Sequence, residues 1–248
     1  MQQRQVNTWA FESRMHYTLT LNCRQIDAGE DHLIEDAPKV TVCAIARRPR
    51  AEQIRALEGV PSGFLVDALG GSGALDYRVK AIVPEQTTFC GAALTCHAGP
   101  ADNLAVFAAL DHVQPGDVIV AACNGYTGCA VTGDLLLGMA RNCGAVAFVT
   151  DGCVRDVAGI RTVGLPCFAV GVTPNSPARE GPGTVACAIA LAGVSIASGD
   201  IVAGDQDGVV VVPYDRIDAV IERLVKIRAA EAQLDAKVRA GLRSLPPS

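Results

Sequence analysis

Residues 133–156, GDLLLGMARNCGAVAFVTDGCVRD, decide the fold. The stretch predicts a helix over Asp134–Asn142, stopped by the glycine two residues later, and then an apolar strand over residues 145–150. An adjacent Arg155-Asp156 pair follows this strand. Because α/β sheets place their ligands at the carboxyl ends of their strands, the stretch predicts a functional site as well as a fold.

The same alternation of helices and strands continues on both sides of this stretch. Helices are predicted at residues 51–57, 63–69, 103–110 and 215–240, and strands at residues 18–23, 79–83, 89–96, 118–123, 167–172 and 208–213. Several of these strands are apolar on both faces, as is typical of buried parallel sheets. The sequence therefore predicts an α/β layered domain with a largely parallel sheet over residues 51–248.

The two ends of the chain differ from this pattern. Residues 1–50 form a predicted N-terminal arm of unknown role, and the sequence leaves open whether Met1 or Met15 is the start. The last helix has one apolar face, which predicts that it packs along its length on a neighbour. That face consists of Ile217, Val220, Ile221, Leu224, Ile227, Leu234 and Val238.

Composition excludes several classes of protein. The 248 residues carry 21 basic and 26 acidic side chains, a net charge of −5, which argues against a nucleic-acid-binding surface. The longest uncharged stretch, residues 181–199, is interrupted by glycines and a proline, so no membrane span is predicted. Ten cysteines without a C-x-x-C pair, together with an N-terminus that lacks an apolar export signal, predict buried, reduced thiols in a cytoplasmic protein.

Four residues of the central stretch suggest chemistry. Gly133 and Asp134 lie where a loop enters a helix, and the free N–H groups of such a first turn can bind a carboxylate. Arg155 offers a guanidinium for a substrate carboxylate or enolate, and Asp156 offers a hard oxygen for a divalent metal. In the alternative interpretation, Arg155 and Asp156 form surface contacts and Asp134 caps its helix. The spacing of these residues alone does not distinguish the chemical interpretation from the structural one.

Seven motifs in the correct order identify the chain as similar to the RraA-like family, over roughly residues 55–240. They are D-A-L-G (67–70), A-D-N-L (101–104), P-G-D-V (115–118), G-D-L-L (133–136), D-G-x-V-R-D (151–156), G-L-P-x-F (164–168) and G-D-x-D-G-V-V-V-V-P (204–213). The family includes regulators of ribonuclease activity and the 4-hydroxy-4-methyl-2-oxoglutarate/4-carboxy-4-hydroxy-2-oxoadipate aldolases. Its aldolases carry the pattern D-x20-R-D, which Asp134, Arg155 and Asp156 match in full.

The resemblance implies a class II pyruvate aldolase with a β/β/α swivelling-domain fold. It implies that Asp156 ligates Mg²⁺ or Mn²⁺, largely alongside water, and that Arg155 binds the pyruvyl group and stabilises its enolate. It also implies that Asp134 positions a metal-bound or nearby water that exchanges a proton with the methyl carbon. Gly133 and the backbone N–H groups of Leu135 and Leu136 would complete the carboxylate pocket.

The family also implies homotrimers or homohexamers with active sites between subunits. A further acid would come from the C-terminal helix of the neighbouring subunit, and an R-x-x-E pattern matches Glu231 to it weakly. The only other partner expected is a small oxo acid, with no nucleic acid and no membrane.

The chemistry of the expected reaction favours a metal as well. Cleavage leaves an enolate, whose charge needs either an iminium formed on a lysine or a metal ion. Of the four lysines, only Lys80 lies outside the arm and the last helix. Decarboxylation of oxaloacetate gives the same enolate and is expected as a side activity. Two alternatives stay open: a non-catalytic regulator that binds a ribonuclease or another protein, and a lyase or decarboxylase for a different oxo acid.

Overall fold

The computed structural model describes residues 39–244. The strands are β1 Val40–Val42, β2 Lys80–Ala81, β3 Phe89–His97, β4 Asp117–Ala122, β5 Ala130–Thr132, β6 Ala147–Thr150, β7 Cys153–Val154, β8 Cys167–Ala169, β9 Gly171–Val172, β10 Gly183–Val185, β11 Ile189–Leu191, β12 Val194–Ile196, β13 Ile201–Gly204 and β14 Val209–Val212. The helices are α1 Ala51–Leu57, α2 Ser62–Ala68, α3 Leu104–Ala109, α4 Asp134–Asn142, α5 Val157–Val163 and α6 Ile217–Arg239, with 3₁₀ turns at Leu110–His112 and Tyr214–Arg216.

A nine-stranded mixed sheet forms the centre of the domain. Its order is β1-β10-β3-β4-β6-β8-β2, and β13 joins β3 to β14. The strands β3, β4, β6 and β8 run parallel, and all six residues of β4 are buried. Apolar side chains cover both faces of these strands, which explains why the sequence shows continuous apolar runs there.

A second, three-stranded sheet positions the candidate site. Its strands β5, β7 and β9 are parallel, and β5 and β7 lead directly into α4 and α5. The fold prediction is therefore confirmed: the chain is an α/β layered protein with a long C-terminal helix, and strands and helices alternate through the central stretch.

Several predicted boundaries need correction. The sixth strand begins at Ala147 because the N–H of Ala145 still bonds to the carbonyl of Ala140, closing the end of α4. The strand predicted over residues 167–172 is two strands, β8 in the central sheet and β9 in the small one. Ser62 is the first residue of α2 and does not cap it through its side chain; instead its hydroxyl donates to Asp205 at 2.8 Å.

The last helix packs over only part of the predicted apolar face. Ile217, Val220 and Leu224 are buried against α1 and α2, but Leu234 is half-buried and Val238 is exposed. Periodicity predicted a face that packs along its whole length. Among the described residues, only the first part of α6 has a partner for that face.

The cysteine prediction was partly wrong. Cys43 and Cys187 form a disulfide that joins the segment after β1 to the segment after β10. The other seven described cysteines are free, and five of them are buried. Burial raises the pKa of Cys167 to about 12, so this thiol is a neutral core residue at pH 7.

Residues assigned to the arm lie partly on the domain. The strand β1 pairs in parallel with β10, and Arg48 donates to the buried carboxylate of Asp117 at 2.6 Å. Residues 1–38, with the predicted strand at residues 18–23, lie outside the described residues, so the role of the arm stays a prediction. In the described range, no helix is both long and apolar enough to cross a membrane.

Candidate active site

Two parallel strands of the small sheet bring the central motifs together. Thr132 at the end of β5 is registered with Val154 at the end of β7, and the N–H of Arg155 donates to the carbonyl of Thr132 at 3.1 Å. Gly133 and Arg155, the next residue on each strand, therefore leave the sheet side by side. The 21 residues between them in sequence include α4 and β6, which form the crossover from β5 to β7.

A cavity of about 240 Å³ opens at this edge. It is lined by Gly133, Asp134, Leu135, Leu136, Arg155 and Asp156, together with Asn103, Phe107, Ala130, Thr132, Met139, Pro177 and Arg179. Six of the seven residues predicted for the site thus share one cavity. The seventh, Glu231, is exposed on α6 and does not line it, so its place in a neighbouring subunit's site stays a prediction.

The guanidinium of Arg155 is held on two sides. Its Nε donates to Oδ2 of Asp156 at 3.2 Å, and its Nη1 donates to the hydroxyl of Ser176 at 2.5 Å. The side chain remains 39% exposed, and within the described range Nη2 makes no hydrogen bond. Since a guanidinium has five N–H donors in a fixed plane, the remaining donors face a ligand in a preset orientation.

Asp156 adopts an unusual backbone conformation. Its φ of 61° and ψ of 45° lie in the left-handed region, which aspartate tolerates better than most side chains. The residue stands immediately before α5, with its side chain 46% exposed at the cavity. Strained conformations of this kind concentrate at functional sites.

Gly133 is required by a close approach. A Cβ atom at this position would lie 2.5 Å from Oδ2 of Asp156 and 3.2 Å from Cγ of Arg155. Any side chain here would push the arginine and aspartate apart, so the glycine of the G-D-L-L motif serves the site as well as the helix start.

A second glycine makes room for Asp134. A Cβ atom at Gly159 in α5 would lie 2.0 Å from Oδ2 of Asp134. The other carboxylate oxygen of Asp134 accepts the N–H of Leu135 at 2.7 Å. The carboxylate therefore packs into the groove between α4 and α5 at the mouth of the cavity.

The donor set of the cavity suits a hard divalent cation. In the described part of the chain, no three His, Cys, Asp or Glu side chains cluster as a metal cage, which argues against a structural zinc site. Asp156 and Asp134 supply carboxylate oxygens at the cavity, and Mg²⁺ is commonly bound by one or two carboxylates plus water. The residues present therefore fit Mg²⁺ or Mn²⁺.

Four residues of this region were missed by the sequence analysis: Asn103, Phe107, Ser176 and Arg179. Asn103 is 8% exposed; its Nδ2 donates to the carbonyl of Val131 at 3.2 Å, and its Oδ1 has no partner in the described residues. An unpaired buried oxygen beside a cavity indicates a place for a ligand hydroxyl or a water. The A-D-N-L motif could have pointed to Asn103, but the other three carry no sequence signal.

Other candidates lie away from the cavity. Lys80 on β2 donates through Nζ to the carbonyl of Asp207 and does not line the cavity, so it is not placed to form a Schiff base there. His97 pairs with Asn124 at 2.9 Å. Residues 205–208 form the turn of the β13–β14 hairpin, in which the N–H of Asp205 donates to the carbonyl of Gly208 at 3.0 Å.

Comparison with known proteins identifies the family of this chain. The RraA-like family, described as Aldolase/RraA, matches residues 62–211, more than half of the chain. The chain belongs to the RraA-like family. A relative from Halalkalibacterium halodurans, named as a candidate 4-hydroxy-4-methyl-2-oxoglutarate aldolase, is 35% identical over 181 residues, 73% of this chain and 84% of the relative. The named relatives support an aldolase in general terms.

Two solved structures share the fold. A protein from Pseudomonas syringae pv. tomato aligns with a TM-score of 0.71 at 27% identity, covering 79% of this chain and 92% of its own. The RNA-processing inhibitor RraA from a Thermus species aligns with a TM-score of 0.57 at 27% identity, covering 62% and 93%. The family thus joins proteins named for catalysis and proteins named for inhibition.

Proposed function

We propose that this RraA-like protein is a divalent-metal-dependent aldolase that cleaves a 4-hydroxy-2-oxo dicarboxylic or tricarboxylic acid and releases pyruvate. The observation that carries the proposal is the shared cavity of Asp134, Arg155 and Asp156. Arg155 supplies a cation that can stabilise an enolate, and Asp156 supplies a carboxylate that can bind a metal. Asp134 supplies a second carboxylate, beside the N-terminus of α4, for proton transfer. A retro-aldol reaction needs these three components.

Arg155 has the geometry to bind the pyruvyl half. Its guanidinium is fixed by Asp156 and Ser176, so the free donors are aligned before substrate binds. As the C3–C4 bond breaks, negative charge grows on the keto oxygen. A guanidinium that donates to this oxygen stabilises the transition state more than the ground state. The first N–H groups of α4, at Leu135 and Leu136, add positive potential for the carboxylate.

Asp134 is placed to control the proton. After cleavage, the methylene carbon of the enolate must gain a proton to become the methyl group of pyruvate. In this proposal a water held by the carboxylate of Asp134 accepts the proton of the C4 hydroxyl as the C3–C4 bond breaks and the C4 carbonyl forms, and it then returns a proton to the methylene carbon. Asp156 is the residue that would hold Mg²⁺ or Mn²⁺, largely alongside water, and a bound cation would supply Lewis acidity that stabilises the enolate charge.

Gly159→Ala tests the role of Asp134. Because the new Cβ would lie 2.0 Å from Oδ2, the carboxylate must move, and we expect kcat for pyruvate release to fall by up to about 100-fold. Gly63→Ala is the matched control: it also replaces a helical glycine, but no atom lies within 4 Å of the new Cβ. Steady-state kinetics of both variants make the comparison, and wild-type kcat in Gly159→Ala would argue against a role for Asp134.

The proposed assembly is a homotrimer or homohexamer with active sites between subunits. It is supported by the second half of α6, where Leu234, Val238 and Glu231 have no partner that buries them in the described chain. In this proposal Glu231 reaches the cavity of a neighbouring subunit. Sedimentation equilibrium of the full chain tests the oligomer.

The second candidate function is a regulator that binds a ribonuclease or another protein. The similarity to the RNA-processing inhibitor from Thermus favours it. Arg155, Asp156 and Asp134 disfavour it, since an inhibitor has no need of a preset guanidinium beside two carboxylates at a cavity. A third candidate keeps the same cavity for a different oxo acid.

Coupling pyruvate release to lactate dehydrogenase distinguishes these functions. The substrates are 4-hydroxy-4-methyl-2-oxoglutarate, 4-carboxy-4-hydroxy-2-oxoadipate and oxaloacetate, each with Mg²⁺ and with EDTA. We expect release from at least one aldol substrate and from oxaloacetate, abolished by EDTA. Release from oxaloacetate alone would favour a decarboxylase, and no release from folded protein would favour the regulator.

A further inference from the structure

A second arginine lines the cavity that holds Arg155. The guanidinium carbon of Arg179 lies 3.6 Å from the ring centroid of Phe107, and both residues border the cavity. Stacking on an aromatic face fixes the plane of a guanidinium while leaving its in-plane N–H donors unused. The cavity therefore has two cations, each held in place by a different contact.

Arg179 has no polar partner in the described part of the chain, a property that it shares there with Arg228 and Arg243 near the C-terminal end. Between residues 39 and 227, every other arginine donates at least one hydrogen bond from its guanidinium to another described residue, and Arg179 donates none. It also forms no ion pair with the described acids, whereas Arg155 has Asp156. Its donors are thus available to an anion that enters the cavity.

The backbone on both sides of Arg179 is anchored. Oδ2 of Asp102 accepts the N–H groups of Glu180 at 2.7 Å and Gly181 at 3.1 Å. On the other side, Ala178 donates to the carbonyl of Ala101 at 2.7 Å. Burial acts to raise the pKa of Asp102, but these backbone donors outweigh burial and hold it below its ordinary value, so the carboxylate stays charged.

The same loop connects the two arginines. Ser176 accepts a hydrogen bond from Arg155, and Arg179 follows three residues later. Three residues of chain span at most about 10 Å, and both arginines line the same cavity. Arg155 pairs with Asp156, whereas Arg179 stacks on Phe107 and has no acidic partner among the described residues.

We propose that Arg179 binds the second carboxylate of the substrate, the one carried by the half that leaves as the other product. This inference rests on the proposed function and deepens it: it assigns to Arg179 the preference for substrates that carry a distal carboxylate over oxo monoacids. Arg155 binds the pyruvyl end, Arg179 binds the distal end, and the ring of Phe107 holds Arg179 in position between turnovers.

The experiment compares two substrates that differ in the distal carboxylate. 4-Hydroxy-4-methyl-2-oxoglutarate carries it and 4-hydroxy-2-oxopentanoate lacks it, and both yield pyruvate. In Arg179→Gln, we expect kcat/KM for the diacid to fall by about 10- to 100-fold, while kcat/KM for the monoacid changes by less than about threefold. Arg55→Gln, which removes an exposed arginine on α1, is the control for net charge and should leave both values unchanged.

Exchange of the methyl protons of pyruvate in deuterated water separates the two proposals. This exchange needs only the pyruvyl end, so Arg179→Gln should retain it, which also shows that the variant is folded. Equal losses on both substrates, or no loss on the diacid, would overturn the role of Arg179 while leaving the aldolase proposal intact. Absence of exchange and cleavage in the wild type would overturn the aldolase proposal and this inference together.

Discussion

Asp156→Ala is expected to abolish metal-dependent pyruvate release, with a loss in kcat of at least about a thousandfold. The variant removes a carboxylate that the cavity offers to a hard cation, and Lewis-acid stabilisation of an enolate contributes several kcal/mol. The fold should persist, because the side chain is 46% exposed and its one hydrogen-bonded partner in the described range is its neighbour Arg155. The measurement is coupled pyruvate release across a titration of Mg²⁺.

Two further variants make this result interpretable. Asp156→Asn preserves a side chain that tolerates the left-handed backbone at φ 61°, so its loss of activity would report the charge and not the conformation. Glu52→Ala removes an exposed carboxylate on α1, outside the cavity, and should have wild-type activity. Full activity in Asp156→Ala would remove the metal assignment.

Arg155→Lys is expected to lower kcat/KM by about 100- to 1,000-fold, although the positive charge is kept. The planar guanidinium of Arg155 donates to Asp156 and Ser176 and also lines the cavity. The ammonium group of a lysine cannot make the same set of coplanar hydrogen bonds. Cleavage of the aldol substrate and decarboxylation of oxaloacetate should fall by similar factors, because both pass through the same enolate.

The control for this substitution is Arg161→Lys. Arg161 is exposed on α5 and pairs with Glu85 at 2.6 Å, outside the cavity, so kinetics should match the wild type. Loss of one activity without the other in Arg155→Lys would argue against a common enolate. Unchanged kinetics on both substrates would mean that Arg155 takes no part in the reaction.

Local sequence predicted those parts of the site that follow from short-range rules. The helix Asp134–Asn142 has the predicted bounds because a turn precedes its apolar periodicity and a glycine follows it. The nearness of Gly133 to Arg155 was not predicted, because it depends on the short parallel strands β5 and β7, neither of which the sequence pattern indicated. Motif order added the expected roles of these residues through family resemblance.

Long-range contacts explain what was not predicted. Arg179 reaches the cavity because Asp102 binds the backbone 78 residues further along the chain, and no local pattern reports such a contact. The disulfide Cys43–Cys187 joins residues 144 positions apart, so the spacing of cysteines in the sequence could not predict it either. The apolar face of α6 was predicted from the spacing of its apolar residues. That spacing does not show how far along the helix other parts of the chain pack against this face.

The most direct test of the central claim is deuterium exchange of the pyruvate methyl group, followed by proton NMR. The experiment uses the full-length protein with Mg²⁺, the same protein with EDTA, and the Arg155→Lys and Asp156→Ala variants with Mg²⁺. We predict rapid exchange in the first sample and near-background exchange in the other three, because each lacks one group that stabilises the enolate. Exchange that is insensitive to EDTA and to both substitutions would contradict the metal-assisted enolate mechanism.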